Sequence, residues 1–151
     1  MPTDTLVRGE NRDMRKIALA MMALGCVLSS ARFAHAYLSS TWYEDASGYE
    51  EAVCQQKSLH VPMFVYFRVD WCPHCRAFDQ LLEEQAVRSQ VGSYVKVRIN
   101  PEHGKAEKAL FEQTFGTKGY PALFIVDSQG ASPRRLSHGG PPERFVAQFP
   151  H

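Results

Sequence analysis

Apolar residues fall along this chain in short runs separated by stretches of helical period, and that pattern is the first guide to its fold. Val61 to Val69 is almost unbroken in apolar and aromatic residues apart from Pro62 near its start, which predicts a strand buried on both faces. Tyr94 to Ile99 alternates, with Val95, Val97 and Ile99 on one face and Tyr94, Lys96 and Arg98 on the other. Ala122 to Val126 is a third run. Asp127-Ser128-Gln129-Gly130 then supplies turn chemistry before a shorter strand around Arg134 to Ser137, so the last two strands predict an antiparallel hairpin.

Helical spacing fills the gaps. Ser47-Gly48-Tyr49-Glu50 has the form of a capping box and predicts a helix to about Leu59, with Tyr49, Ala52, Val53 and Gln56 on one face. Cys75, Phe78, Leu81, Leu82 and Ala86 recur at steps of three and four, which predicts a helix from Pro73 to about Arg88. Lys105 to Phe115 predicts a short helix stopping near Gly116. A last helix opens at Pro142 after the break at Gly139-Gly140-Pro141, with Phe145, Val146 and Phe149 facing inward. The expected class is α/β, with a central mixed sheet of about four strands flanked by helices. Helices between the first three strands favour right-handed parallel crossovers, and the hairpin adds an antiparallel edge.

Residues 1–36 do not belong to that scheme. Arg15 and Lys16 precede Ile17 to Leu28, a charge-free run followed by Ala34-His35-Ala36, so the segment reads as an export signal with a mature start at Tyr37. The run is shorter than the roughly 18 apolar residues of a membrane-crossing helix, which makes an uncleaved membrane anchor the alternative. Translation from Met14 gives a more compact signal, so residues 1–13 read as an extension. Lipidation at Cys26 is a further alternative. Residues 37–151 are expected to form one domain.

Composition narrows the choice without deciding it. The chain has 151 residues, 44% hydrophobic and 22% charged, and a formal net charge of +1, which fits one globular core and gives no argument for a nucleic-acid partner. A monomer is expected. With Cys26 in the signal, the domain keeps Cys54, Cys72 and Cys75, an odd number that argues against a purely structural disulfide framework. Cys54 is expected to be a small buried hydrophobe.

Candidate chemistry lies where the first buried strand runs into a helix, at Trp71-Cys72-Pro73-His74-Cys75. A helix start leaves backbone amides unpartnered and aims the positive end of the dipole at Cys72, favouring the thiolate that attacks a disulfide sulfur. Cys75 returns to the same face one turn on, within reach for a small disulfide ring. Cys72 is therefore the expected nucleophile and Cys75 the residue that resolves the mixed disulfide. Pro73 gives up an amide hydrogen that would have had no partner. His74 adds a donor beside the thiolate, which makes the disulfide more oxidising and places the centre in the upper half of a span of roughly −270 to −120 mV.

Other uses of two cysteines need more than the sequence offers. Tetrahedral zinc takes four Cys or His ligands and no second pair follows; haem attachment requires a His after the second cysteine, where this chain has Arg76. Neither a metal nor an organic cofactor is expected. A copper carrier using the same thiolates, or a non-catalytic binding module, remains the alternative.

The five residues from Trp71 to Cys75, after a buried strand and before a helix, resemble the active site of the thioredoxin superfamily, and C-P-H-C resembles the DsbA-like version of it. Gly119-Tyr120-Pro121, leading into a strand, resembles the cis-proline loop of that superfamily. The resemblance implies a thioredoxin fold over about residues 47–149, thiol–disulfide exchange with protein or small-molecule thiols in a periplasmic or other exported compartment, and a membrane redox donor. It also implies a substrate-facing loop at Tyr120 and Pro121; by sequence alone Pro121 also suits a trans proline opening a strand, and Tyr120 a packing aromatic. Two departures stand out. Thioredoxins carry a buried Asp where this chain has Tyr66, although Lys96 matches the lysine that accompanies it. DsbA-like oxidants carry a large helical insertion before the cis-proline, whereas Tyr120 lies only 45 positions after Cys75.

Overall fold

The computed structural model describes Leu38, residues 40–129 and residues 132–150. The export signal, Cys26 and the proposed mature start therefore lie outside the described residues. Among the described residues, no helix is long and apolar enough to cross a membrane.

Among the described residues five strands form one mixed sheet: β1 (Trp42–Glu44), β2 (Met63–Phe67), β3 (Val95–Ile99), β4 (Ala122–Val126) and β5 (Arg134–Leu136), in the spatial order β1-β3-β2-β4-β5. The strand beyond the four expected is β1. It has three residues and too little apolar character to register as a strand, and it exists because it pairs in parallel with β3, setting Trp42 opposite Lys96. On one face of the sheet Met63, Val65, Phe67, Val97, Phe124 and their neighbours pack against α1 (Asp45–Leu59) and the helical segment made of α4 (Lys105–Ala109) and a π turn (Leu110–Thr114). On the other, Phe64, Tyr66, Leu123 and Ile125 meet α2 (Pro73–Glu83), α3 (Gln85–Val91) and α5 (Pro142–Val146). Both faces are covered, which is why β2 and β4 are apolar at every position.

Four local expectations need correction. The strands β2 and β3 are parallel, but β4 runs antiparallel to β2, with Ala122 opposite Phe67. A doubly buried strand shows the same apolar run in either direction, so the pattern carries no information about orientation. The short helical segment after β3 need not span the sheet, because β4 starts at the end where β2 and β3 finish. The long helix after the cysteines breaks at Glu84, whose backbone is extended at φ −62° and ψ 132°; the break shifts the buried face to Val87 and Val91 and leaves Ala86 exposed.

The start of α1 also differs, since it begins at Asp45 without a side-chain cap and places Ser47 inside the helix. Asp45, at positive φ, is held by tertiary contacts instead: its carboxylate accepts from the Asn100 amide at 3.0 Å and lies 2.7 Å from His103 Nδ1. Gly48 faces the Tyr43 backbone so closely that a Cβ would stand 3.0 Å from it, which lets helix and strand pack tightly. Cys54, finally, is exposed, because it lies off the face of α1 that presents Ala52 and Gln56 to the sheet.

Lys96 is 2% exposed, in the middle of β3, and its ammonium donates to the Leu38 carbonyl. Burial lowers its pKa from 10.5 to about 8. The folded chain thus releases this proton before the unfolded chain does, so the burial penalty is fully present below about pH 8 and is relieved as pH rises toward 10.5. Stability measured by urea melts is expected to climb between those values, until the buried tyrosines Tyr66 and Tyr94, held protonated above their usual range, oppose it above 10. Lys96→Met is expected to remove the climb and to add about 1 kcal/mol at neutral pH, a figure reduced from the full shift because the hydrogen bond to the Leu38 carbonyl is lost with the ammonium.

Candidate functional site

The antiparallel course of β4 builds the site. Cys72 follows the end of β2 by five residues and Pro121 immediately precedes β4, so the Phe67–Ala122 pairing draws both to the same end of the sheet. Cys72 caps α2 and Pro73 occupies its first turn. The Cys75 amide donates to Cys72 Sγ at 3.1 Å, and the two cysteines form a disulfide with their Cα atoms 5.2 Å apart. That amide is one of the donors a helix start leaves free, and after reduction it points at the sulfur that must carry the charge. Cys72 is 3% exposed and Cys75 fully buried, so Cys72 is the outer and Cys75 the inner of the pair.

The flanking residues divide into those that face solvent and those that hold them. Trp71 is 61% exposed, yet its indole N–H donates to both Glu102 carboxylate oxygens at 3.0 and 3.2 Å. Its ring stands edge-on to Tyr120, which stacks on Phe111 with centroids 5.0 Å apart. The Tyr120–Pro121 peptide bond is cis, and Tyr120 packs against Val69, Cys72 and Cys75. His74 is exposed and lies 6.2 Å, ring to ring, from His138, in the segment after β5. Burial, then the facing His74 and Arg135, holds the His138 pKa below its usual value. Among the described residues no three His, Cys, Asp or Glu side chains gather into a metal-binding group.

Tyr66 does more than fill the place of an acid. Its hydroxyl lies 3.1 Å from the Cys75 carbonyl and 3.0 Å from Asp79 Oδ1, and burial, followed by the neighbouring Asp79 charge, pushes its pKa far up. With a single hydrogen to give, it donates best to the charged oxygen. Arg68 Nη1 reaches Asp79 Oδ2 at 3.5 Å.

A family model described as thioredoxin-like matches residues 41–128. The chain belongs to the thioredoxin-like family. Among curated relatives it is similar to the protein disulfide-isomerase of Gallus gallus, 27% identical over 104 residues that cover 68% of this chain and 19% of that protein. It is also similar to the protein disulfide-isomerase erp38 of Neurospora crassa, 33% identical over 72 residues that cover 48% of this chain and 19% of that one. The chain thus spans about a fifth of these relatives' length. A thioredoxin from Thermus thermophilus superimposes with a TM-score of 0.61 at 22% identity, covering 73% of this chain and 84% of its own. The oxidised DsbD C-terminal domain of Neisseria meningitidis does so at the same score and identity, covering 71% and 95%. These two likenesses establish the shared fold.

Within this thioredoxin-like domain, sequence reasoning missed Asp79, Arg68, Glu102 and His138. Asp79 carried a usable signal, since four residues after Cys75 is the same helix face. The other three reach the site only through tertiary folding and left no mark in the spacing.

Proposed function

We propose that this chain catalyses thiol–disulfide exchange on protein or small-molecule thiols in an exported compartment, with Cys72 as nucleophile and Cys75 as resolver. One observation carries the reading above the rest: the two cysteines share a disulfide across the first turn of α2, beside the cis Tyr120–Pro121 peptide. In one direction Cys72 thiolate attacks a substrate disulfide and forms a mixed disulfide, which Cys75 then displaces; in the other, a substrate thiolate attacks the Cys72–Cys75 bond. Trp71 and His74 flank Cys72 within the five-residue motif, Tyr120 packs against both cysteines, and the backbone at Tyr120 pairs with an extended substrate segment. The names of the curated relatives, protein disulfide-isomerases, support the same chemistry. Export rests on Arg15-Lys16, the apolar run to Leu28 and Ala34-His35-Ala36. A membrane redox donor resets the centre.

Purified full-length chain is expected to accelerate both the reduction of insulin disulfides by dithiothreitol, read as turbidity, and the oxidation of a reduced dithiol peptide, read by its retention. The faster reaction gives the direction of electron flow. A chain whose cysteines are titratable yet inert in both assays would overturn the reading.

A further inference from the structure

The two sulfurs are treated very differently by the fold. Cys72 has a helix N-terminus and a backbone amide to hold its negative charge, whereas Cys75 is fully buried and its sulfur sits inside the first turn. Burial in apolar surroundings keeps a thiol protonated. For Cys75 to displace a mixed disulfide, its proton must leave as its sulfur attacks, and a buried sulfur cannot hand that proton to bulk water directly.

Asp79 is the carboxylate on the Cys75 face of α2, one turn along, where residues four apart stand about 5–6 Å from each other at Cβ. It is fixed there from two sides, by the Tyr66 hydroxyl at 3.0 Å and by Arg68 at 3.5 Å. The same hydroxyl touches the Cys75 carbonyl, so Tyr66 ties the carboxylate to the backbone of the residue that must be deprotonated. Asp79 also lines a cavity of about 270 Å³, open to solvent, whose charged walls are Glu83, Arg88, Lys96 and Arg98. Its side chain keeps 32% of its surface accessible, so it connects the buried turn to water. Arg88, Lys96 and Arg98 line the same cavity, and Arg68 stands beside the carboxylate. The opposing acid is Glu83, and Arg76 and Asp70 make their own contact at the outer side of the turn, where Arg76 donates to the Asp70 carbonyl.

We infer that Asp79, positioned by Tyr66 and Arg68, receives the Cys75 proton during resolution of the mixed disulfide and passes it to the solvent-filled cavity. The inference rests on the thiol–disulfide reading given above. In the step, the Cys75 S–H bond breaks and its proton crosses to the Asp79 carboxylate, directly or through one water molecule. The Cys75 sulfur bonds to the Cys72 sulfur, the Cys72–substrate S–S bond breaks, and its electron pair leaves on the substrate thiolate. The cysteine pair is oxidised by two electrons and the substrate reduced by two. In the reverse direction the same carboxyl returns the proton to the departing Cys75 sulfur. Tyr66 and Arg68 are positioning residues.

The test uses the reduced full-length chain carrying Cys26→Ser and Cys54→Ser, so that exposed Cys54 does not report, and dithionitrobenzoate, whose coloured thiolate is released once when Cys72 attacks and again when Cys75 resolves. This background is the wild type of the comparison. The first release reads the chemistry at Cys72 and the second reads the proposal. Asp79→Asn preserves shape and can still accept from Tyr66, but it cannot take a proton. It is expected to leave the first release as in the wild type and to slow the second about 100-fold near neutrality, the lower end of what a positioned acid or base contributes. The variant's second rate should climb with pH as hydroxide takes over, while that of the wild type stays nearly flat. Asp79→Glu should restore part of the rate and the flat profile, and Tyr66→Phe should slow the second release several-fold with the profile unchanged. Equal second-release rates and pH profiles in wild type and Asp79→Asn would overturn the assignment. Loss of the first release in the wild type would instead remove the reading on which it rests.

Discussion

Replacing Cys72 by Ser is expected to drop turnover in both assays to the uncatalysed background, because a serine hydroxyl is not ionised near neutrality and cannot form the mixed disulfide. The fold should survive. Cys72 caps α2 through its side chain, accepting from the Cys75 amide, and Ser is among the best residues for that role. The measurement that separates chemistry from folding is therefore the urea midpoint of the reduced wild type against that of the reduced variant, with activity alongside. Matching midpoints and no activity place the loss at the sulfur; residual turnover above background would show that another thiol attacks, and exposed Cys54 is the one to replace next.

Cys75→Ser separates the two halves of the same reaction. Attack by Cys72 remains, resolution is lost, and the mixed disulfide is expected to accumulate as a covalent adduct that reducing agent releases. Mass spectrometry of adducts formed in cells then identifies the substrates, and their sizes distinguish protein from small-molecule thiols. The direction of exchange is a matter of balance, since about 30 mV corresponds to about 1.4 kcal/mol for this two-electron couple. Each group that stabilises one sulfur more than the other shifts that balance. His74 lies between the two cysteines in sequence, and Asp79 lies one helical turn beyond Cys75 on α2.

How much of this was legible in the sequence follows from which interactions are local. The Cys72–Cys75 spacing and Pro73 were readable because their geometry is set within one helical turn. So were β2 and β4, since a strand covered on both faces must be apolar throughout. The direction of β4 was not readable, and with it went the reason that Pro121 and Cys72 meet. Strand β1 is held by a ladder to β3 and by Trp42 lying over Arg98, 5.5 Å from its guanidinium, neither of which three residues can advertise. Tyr66 looked like the loss of a carboxylate from the centre. Folding supplies a carboxylate from the helix instead of the strand, and only the side-chain contacts of Tyr66 reveal that exchange.

Phe67→Ala is expected to cost about 3–5 kcal/mol, the range for removing a fully buried phenyl ring, against a total of about 5–15 kcal/mol for an ordinary domain. Phe67 is fully buried at the end of β2 and meets three rings edge-on, Phe111 at 5.4 Å, Phe115 at 5.1 Å and Phe124 at 6.2 Å between centroids. These rings come from β4 and from the segment around the π turn, so little can collapse into the hole without moving one of those elements. A urea melt should show a lower midpoint with an unchanged slope, as expected for lost stability in a two-state unit. The function should suffer separately, because Phe111, which leans on Phe67, is the ring on which Tyr120 stacks. Below its melting range the variant is therefore expected to keep the first thiolate release from dithionitrobenzoate and to lose affinity for an extended peptide substrate, seen as a raised KM. Phe67→Leu, which fills most of the space, should recover both properties in part. If the alanine variant costs less than about 1 kcal/mol, the ring cluster is not the support for the Tyr120 loop that its geometry implies.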